Sequence, residues 1–321
     1  MNISGGALKF ANGLRRIGYS QADEVLNAVA PLRPRVLEVV AGNVAPGASR
    51  HLCVFAHYDP HGRIDDYVLH HLRALARAGR ETVLVSTAPG LDAESLEKAK
   101  AWCRAIIVRE NRGHDFGSWK AGLRHAGPVE SYETLTLAND SVYGPLRPLD
   151  EVFSRIASRN LDVWGITDSL EYGYHLQSYF LVFSNRVLRS AEFLRFWERL
   201  PAYRFRQSVI RKGEIGLSRR LQAAGFRLGA LCEYEEMTRR HRAAVTAAEK
   251  TSILGGRTNA SLVHWRLLIE REACPYLKVG LLRDNRLRAR DVERWLEVLR
   301  GCSGYDPGLI ERHLARVRLD R

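Results

Sequence analysis

From His51 onward the apolar residues fall into short continuous runs separated by stretches with helical spacing. LCVFAHY, ETVLVS, RAIIVRE and ETLTLAN are β-rich runs of strand length bounded by turn residues. Between them, DDYVLHHLRALARAG carries Val68, Leu69, Leu72, Leu75 and Ala76 on one helical face, and LDAESLEKAKAWC and GSWKAGLRHAG supply two further helices. A β-α-β-α-β-α-β order with uninterrupted apolar strands predicts an α/β fold, doubly wound, with a mainly parallel sheet covered by helices on both faces. Further on, LDVWGIT and YHLQSYFLVF read as strands, RVLRSAEFLRFWERL and EIGLSRRLQAAGF as helices, and RLGAL as a last short strand. A Gly-rich loop, LGGRTNAS, and helical segments follow. Residues 1–50 read as an N-terminal extension of short helical pieces broken by Pro31, Pro34 and Pro46. The predicted partition is therefore an extension over 1–50, a main domain over 51–283 and a helical tail over 284–321.

The 321 residues, 45% hydrophobic and 26% charged, are ample for one large core. No apolar run reaches the ~18 residues of a membrane span, and MNISGGALKFANGLRRIGYS lacks the apolar centre of a signal peptide. The expectation is a cytoplasmic protein, with peripheral contact at the inner face of the plasma membrane as an option. Five widely spaced cysteines without a C-x-x-C pair indicate neither a disulfide framework nor a zinc knuckle. The net charge of +13 is spread along the chain without an RNP pattern or a helix-turn-helix, so nucleic acid is not the expected partner. An anionic bilayer, a nucleotide diphosphate or a lipid diphosphate would account for the charge equally well.

In open parallel sheets, ligands bind at the carboxyl ends of the strands. Three such ends are rich in polar groups: His57-Tyr58-Asp59-Pro60-His61-Gly62, Asn111-Arg112-Gly113-His114-Asp115-Phe116-Gly117 and Asn139-Asp140-Ser141. Each has a plain alternative, since Asp and Asn after a strand also cap helices and form turns. Together they predict one rim. Amides near Gly113 and Gly117 could accept a phosphate, although neither the G-x-x-x-x-G-K-[ST] nor the G-x-G-x-x-G spacing is present. The histidines from His57 to His71 raise a metal-dependent hydrolase as an alternative, but their spacing matches no H-E-x-x-H signature.

The blocks HYD, NRGHDFGSWKAG, LANDSVYGPL, DVWGITD, HLQSYFLVF and PYLKVGLLRDN resemble the rhamnan synthesis protein F family of bacterial polysaccharide glycosyltransferases, over about His51 to Arg286. The resemblance implies a GT-A-like fold. It also implies an acidic loop that binds magnesium or manganese on the donor diphosphate, here Asn139-Asp140-Ser141 with one carboxylate, Asp140. By the same resemblance, His57 to Asp59 face the nucleoside, Asp115 lies near the donor base or sugar, and Arg112 and Asn139 join the donor site. Glu214, in GEIGLSRRLQAAGFRL, resembles the acid that deprotonates the acceptor in inverting enzymes, without the usual second acid; a first-turn helix acid is the alternative. His264 is a candidate metal or phosphate contact and Lys278 a candidate diphosphate cation, with a structural role as the alternative for both. Trp164, Gln177 and Tyr179 are candidate acceptor contacts, with sheet core as the alternative for Tyr179.

The function expected is an inverting glycosyltransferase. By family analogy it moves rhamnose from dTDP-rhamnose onto a growing, lipid-linked surface polysaccharide such as an O-antigen. A non-catalytic nucleotide- or glycan-binding relative is the other reading, kept open by the missing second acids.

Overall fold

The computed structural model describes residues 18–245, 259–302 and 304–319. Residues 1–17 of the expected extension and 254–258 of the expected Gly-rich loop lie outside the described residues.

A nine-stranded sheet forms the centre. In chain order its strands are β1 (Val36–Ala41), β2 (His51–His57), β3 (Glu81–Ser86), β4 (Ala105–Arg109) and β5 (Thr134–Asn139). They continue with β7 (Val163–Ser169), β8 (His175–Leu176), β9 (Phe180–Ser184) and β10 (Leu228–Cys232). The short strands β6 (Val142–Tyr143) and β11 (Leu277–Lys278) pair with each other in a separate ribbon. The main order is β1-β4-β3-β2-β5-β9-β7-β10, with β8 attached to β7. Strands β2, β3, β4, β5, β7 and β10 run one way; β1 and β9 run the other. The expected α/β architecture with a mainly parallel sheet is present.

The apolar runs lack alternation because both faces of the sheet are covered. In β2, Cys53 and Phe55 enter one core with Val68, Leu72 and Leu75 of the helix Asp66–Arg77. Leu52, Val54 and Ala56 enter the opposite core with Phe116, Trp119 and Leu123 of the helix His114–Ala126. Burial on both sides makes every position of such a strand apolar. The connections from β2 to β3 and β3 to β4 run over one face, whereas the connection from β4 returns over the other face and enters β5 beside β2. The strand order therefore reverses between β2 and β5, the place where open α/β sheets leave a crevice at their carboxyl ends.

Three expectations are corrected. The extension is not wholly helical: after a helix over 18–29, VLEVVA forms the edge strand β1, antiparallel to β4. Its β-branched residues outweigh the helix-breaking prolines that precede it. The segment YHLQSYFLVF is two strands, with Gln177, Ser178 and Tyr179 in the break between β8 and β9. The segment from residue 284 is not an appendage. Its helix Gly308–Leu319 packs on the helix Asp66–Arg77, where Arg312 meets Asp66 and the His313 ring meets the Tyr143 hydroxyl at 2.7 Å.

No described helix is long and apolar enough to cross a membrane. The four cysteines whose side chains are described, Cys53, Cys103, Cys232 and Cys274, are buried free thiols.

Gly122 is where the helix His114–Ala126 comes closest to the sheet. A Cβ there would sit 2.3 Å from Val54 Cγ1 and 3.0 Å from Val85 Cγ2. Gly122→Ala gains up to ~1 kcal/mol of helix propensity but overpacks a two-sided core, at about 1–3 kcal/mol. The expected net is a loss of about 1 kcal/mol, read as a lower urea midpoint. An unchanged or higher midpoint would refute the close approach.

Candidate functional site

The crevice between β2 and β5 opens into a cavity of about 1180 Å³, to which all three polar strand ends contribute. Its floor is set by backbone pairing. Ala56 of β2 is in register with Asn139 of β5, and the Asp140 amide donates to the Ala56 carbonyl at 3.2 Å. The next amide of β2's exit, that of Tyr58, donates to Asp140 Oδ2 at 2.7 Å. Asp140 is thereby held at the rim, with its carbonyl accepting from the Tyr67 hydroxyl at 3.0 Å. Burial, reinforced by the negative charges of Asp115 and Asp59 and opposed by the Tyr58 amide, pushes its carboxyl up to about 8.

Asp115 reaches the same cavity from the first turn of its helix. Much of NRGHDFGSWKAG serves to aim it. Arg109 is fully buried, and its guanidinium donates to the Arg112 carbonyl at 2.8 Å and the His114 carbonyl at 3.3 Å. Burial depresses that guanidinium to about 10, still well above neutral pH. Gly117 has no room for a side chain, because its Cβ would sit 2.7 Å from Arg109 Nη2 and 2.9 Å from the Arg112 carbonyl oxygen. The Trp119 indole donates to the Ala138 carbonyl at 3.0 Å, and Lys120 donates to the carbonyls of Glu198 and Leu200. Asn139 completes the arrangement: its amide donates to Asp115 Oδ2 at 2.9 Å while its own oxygen accepts from the Ser141 hydroxyl. Asn139 thus orients Asp115. Asp115 opens onto the cavity but is closely ringed by protein. That desolvation raises its carboxyl, against the pull of His114, the Asn139 hydrogen bond, Arg206 and Lys278.

Lys278 enters from β11, its ammonium 3.8 Å from the centre of the Tyr179 ring. Burial brings it down to about 8, with Glu214 and Asp115 working to keep it charged and Arg206 against it. Glu214 faces the cavity at the end of a π-helical turn, Val209–Glu214. π-turns recur where a helix must present one functional residue out of phase. Its Oε2 accepts from the Ser178 amide at 2.8 Å and from the Ser178 hydroxyl, and its Oε1 faces His175 Nε2 at 3.4 Å. Burial would raise this carboxyl, but His175 and Ser178 prevail and lower it, so it is ionised at neutral pH.

His57, Asp59 and Arg112 also line the cavity. His57 is buried, bonded through Nδ1 to the Ser86 hydroxyl at 3.0 Å, and burial takes its imidazole down to about 4. Asp59 accepts from the amides of His61 and Arg63 and from Arg316 Nη2 at 2.6 Å; these outweigh burial and lower its carboxyl. Its charge is therefore spent on the last helix. Gln177 and Tyr179 touch the cavity from the β8–β9 break, both bonded to the Thr167 hydroxyl, at 2.6 and 2.8 Å.

Two expected site residues lie elsewhere. Trp164 is packed between Phe153 and Phe180 in the core and does not line the cavity, because its strand position points into the layer under the helix Leu149–Ala157. His264 is buried with its ring 6.3 Å from that of Tyr234 and is likewise absent from the cavity wall, so it does not join Asp140. The histidines of the hydrolase alternative are dispersed. His71 bonds the Tyr276 hydroxyl at 2.8 Å in the core, and His70 bonds the Pro145 carbonyl. Among the described residues no three His, Cys, Asp or Glu side chains converge as a metal cluster. Magnesium is commonly held by one or two carboxylates with phosphate oxygens and water, and Asp140, raised by burial and by the neighbouring Asp115, is the kind of carboxylate whose charge such an ion would favour.

His175, Ser178, Arg109 and Arg316 were not singled out by sequence reasoning. Of these, only His175 and Ser178 carried a signal, lying in HLQSYFLVF beside Gln177 and Tyr179.

The chain is 28% identical to the "Uncharacterized protein y4gN" of Sinorhizobium fredii over 229 residues, 70% of this chain and 56% of that protein. It is 27% identical to the "Virulence protein VirA" of Vibrio anguillarum over 240 residues, 70% of this chain and 76% of that one. The chain thus spans little more than half the length of the first of these relatives. Among solved structures, Staphylococcus aureus TarS aligns with a TM-score of 0.32 and 14% identity, over 43% of this chain and 48% of that one. The galactosyltransferase LgtC aligns at 0.31 and 11%, over 79% and 97%. Likeness at that level bears on neither chemistry nor substrate. The family match is of another order, since it covers residues 83 to 321, including the cavity loops after β4 and β5 and the last helix: the chain belongs to the rhamnan synthesis protein F family.

Proposed function

We propose that the chain is a glycosyltransferase that binds a nucleotide diphosphate sugar in the β2–β5 crevice and transfers the sugar, with inversion, to a glycan hydroxyl. The observation that carries this reading is the placement of Asp140, Asp115 and Lys278 with Glu214 around one cavity at the topological switch point. Membership in the rhamnan synthesis protein F family supports a sugar donor, and makes dTDP-rhamnose the donor and a lipid-linked polysaccharide the acceptor to test first.

In this reading the diphosphate lies between the Asp140 rim and Lys278. Asp140 and Asp115 would hold magnesium or manganese, whose chemistry there is to neutralise charge gathering on the diphosphate. The Lys278 ammonium adds a fixed positive charge in a largely desolvated site, where it is worth more than in water. Glu214, ionised and fixed by Ser178, takes the proton of the acceptor hydroxyl. The acceptor oxygen bonds to the anomeric carbon as the bond from that carbon to the phosphate oxygen breaks, its electron pair leaving on the diphosphate. A single displacement of this kind inverts the anomeric centre.

One observation favours the binding-only alternative: both Glu214 oxygens already face donors, which weakens the carboxylate as a base. Release of dTDP from dTDP-rhamnose in the presence of acceptor glycan separates the two readings.

Binding is testable without knowing the acceptor. With magnesium present, dTDP is expected to stabilise the wild type in a thermal-shift titration. Asp140→Ala is expected to lose about 2 kcal/mol or more of that binding, roughly thirtyfold in Kd. Without metal the same change is expected to leave binding unchanged or improve it, because without the ion the Asp140 carboxyl offers the diphosphate no attraction and repels it where ionised. Equal loss with and without metal would remove the ion from the account.

The Lys278 ammonium also sets a pH dependence. The free protein loses this proton near 8, while a bound diphosphate favours keeping it, so the complex holds the extra proton above that pH. Affinity for dTDP should therefore fall as pH rises through about 8, by up to about tenfold per unit relative to Lys278→Met. Parallel pH profiles for wild type and variant, measured by calorimetry, would rule out a diphosphate contact by Lys278.

A further inference from the structure

Glu214 is set by contacts from three directions. Its backbone is fixed because Gly213, the residue before it, lies against the Phe116 ring, where a Cβ would sit 3.1 Å from the ring atoms. Its Oε2 is filled by the Ser178 amide and hydroxyl. The remaining oxygen, Oε1, faces His175 Nε2 at 3.4 Å. His175 lies behind Glu214 and does not line the cavity, with 4% of its surface exposed.

The other ring nitrogen of His175 decides its charge. Nδ1 lies 2.9 Å from the Gly173 carbonyl oxygen, which only accepts. Neutral imidazole has one N–H and one lone pair, whereas the imidazolium donates from both nitrogens. With a carbonyl on one side and a carboxylate on the other, the surroundings match the imidazolium. The neutral ring would turn a lone pair toward either Glu214 or Gly173. The charged groups around the ring agree: Glu214 on the π-turn and Glu171 on the loop before β8 favour the cation. Arg219, on the helix Ile215–Ala223, is engaged by the Tyr172 carbonyl at 2.9 Å. On the cavity side, Lys278 interacts with the Glu214 charge and Arg206 with Lys278. The ring cannot drift, since β8 is tied to that same helix by the Leu176 amide donating to the Ser218 hydroxyl at 3.2 Å.

We propose that His175 is a positioning residue: held as an imidazolium between the Gly173 carbonyl and Glu214, it fixes the orientation of the Glu214 carboxylate and keeps it ionised. The role of that carboxylate as proton acceptor rests on the function proposed above; the charge pair itself does not. Desolvation would lower the His175 pKa, but Glu214 more than reverses this, so the imidazolium persists above the ordinary histidine range. As pH rises through that raised value the pair is lost, and with it the hold on Glu214.

Two titrations decide the matter on the intact chain without any substrate. Nitrogen-15 NMR of the His175 ring is expected to show both nitrogens protonated at pH 7, with a pKa above ~6.5 that falls in Glu214→Gln. Carbon-13 NMR of the Glu214 carboxyl is expected to show its pKa rising in His175→Leu and staying low in His175→Gln, whose amide can still donate. A His175 ring that is neutral at pH 7, or one whose pKa ignores Glu214→Gln, overturns the proposal. In turnover, dTDP release from dTDP-rhamnose with acceptor glycan should decline in wild type at the pH where His175 titrates. Measured as kcat at saturating dTDP-rhamnose, so that the Lys278 titration of donor binding does not enter, the decline should vanish in His175→Gln, while kcat falls on the order of a hundredfold in His175→Leu with KM little changed. A His175→Leu profile that follows wild type would overturn the positioning role. Absence of turnover in wild type would count against the proposed function, while the two titrations would still decide the pair.

Discussion

The parallel pairing of β2 with β5 is the constraint on which the site depends. Its register, Ala56 opposite Asn139, ends both strands at the same level and turns two exits outward side by side. The Tyr58 amide then donates to the Asp140 carboxylate, and the Asp140 amide to the Ala56 carbonyl, so two hydrogen bonds across the pair fix the carboxylate placed at the proposed donor site. A slip of one residue would send Asp140 to the opposite face of the sheet. Both faces being packed, with Phe55 toward one helix and Val54 toward the other, such a slip would bury polar groups on one side and remove apolar ones from the other. Core packing and the placement of Asp140 are the same requirement here.

Around that pair the molecule gathers several carboxylates, and it compensates them unequally. Asp59 and Asp65 are neutralised from within by Arg316, reaching back from the last helix. Glu214 is compensated by His175 and Ser178. Asp115 has the Asn139 hydrogen bond and the charges of His114, Arg206 and Lys278, while Asp140 has the Tyr58 amide and is the carboxylate that rises furthest. In the proposed reading, a divalent ion carried with a diphosphate would be the counter-charge of the right kind for this pair. The last helix matters for the same reason. Without Arg316, the exit of β2 would carry two further unpaired charges into the cavity.

Much of this was legible in the sequence, and the misses follow a pattern. The buried strands were readable because a strand packed on both sides is apolar at every position, and the three polar clusters were placed on one rim because each follows such a strand directly. Asp140, Asp115 and Lys278 were found on that basis or through the family motifs. Strand β1 was obscured because Pro31 and Pro34 dominate the reading of a short edge strand whose residues are largely exposed. Trp164 and His264 were misplaced because residue type does not reveal which side of a strand or helix looks into a cavity. His175 and Arg316 were missed because each acts through a partner distant in the chain, Glu214 in one case and Asp59 in the other. Through-space pairs of this kind leave no mark on local spacing. Much of NRGHDFGSWKAG, the block that most clearly signals the family, proves to be scaffolding. With Arg109, which lies just before the block, Gly117, Trp119, Lys120 and Gly122 hold the helix so that Asp115 meets Asn139.

The most direct test of the central claim is a crystal structure of the chain with dTDP and manganese, using anomalous scattering to locate the metal. The expected result is a diphosphate lying between Asp140 and Lys278, with the manganese peak against the Asp140 and Asp115 carboxylates and Glu214 facing the open end of the phosphate chain. A nucleotide bound elsewhere, or a β2–β5 crevice empty at saturating dTDP, would contradict the claim that this crevice is a donor site.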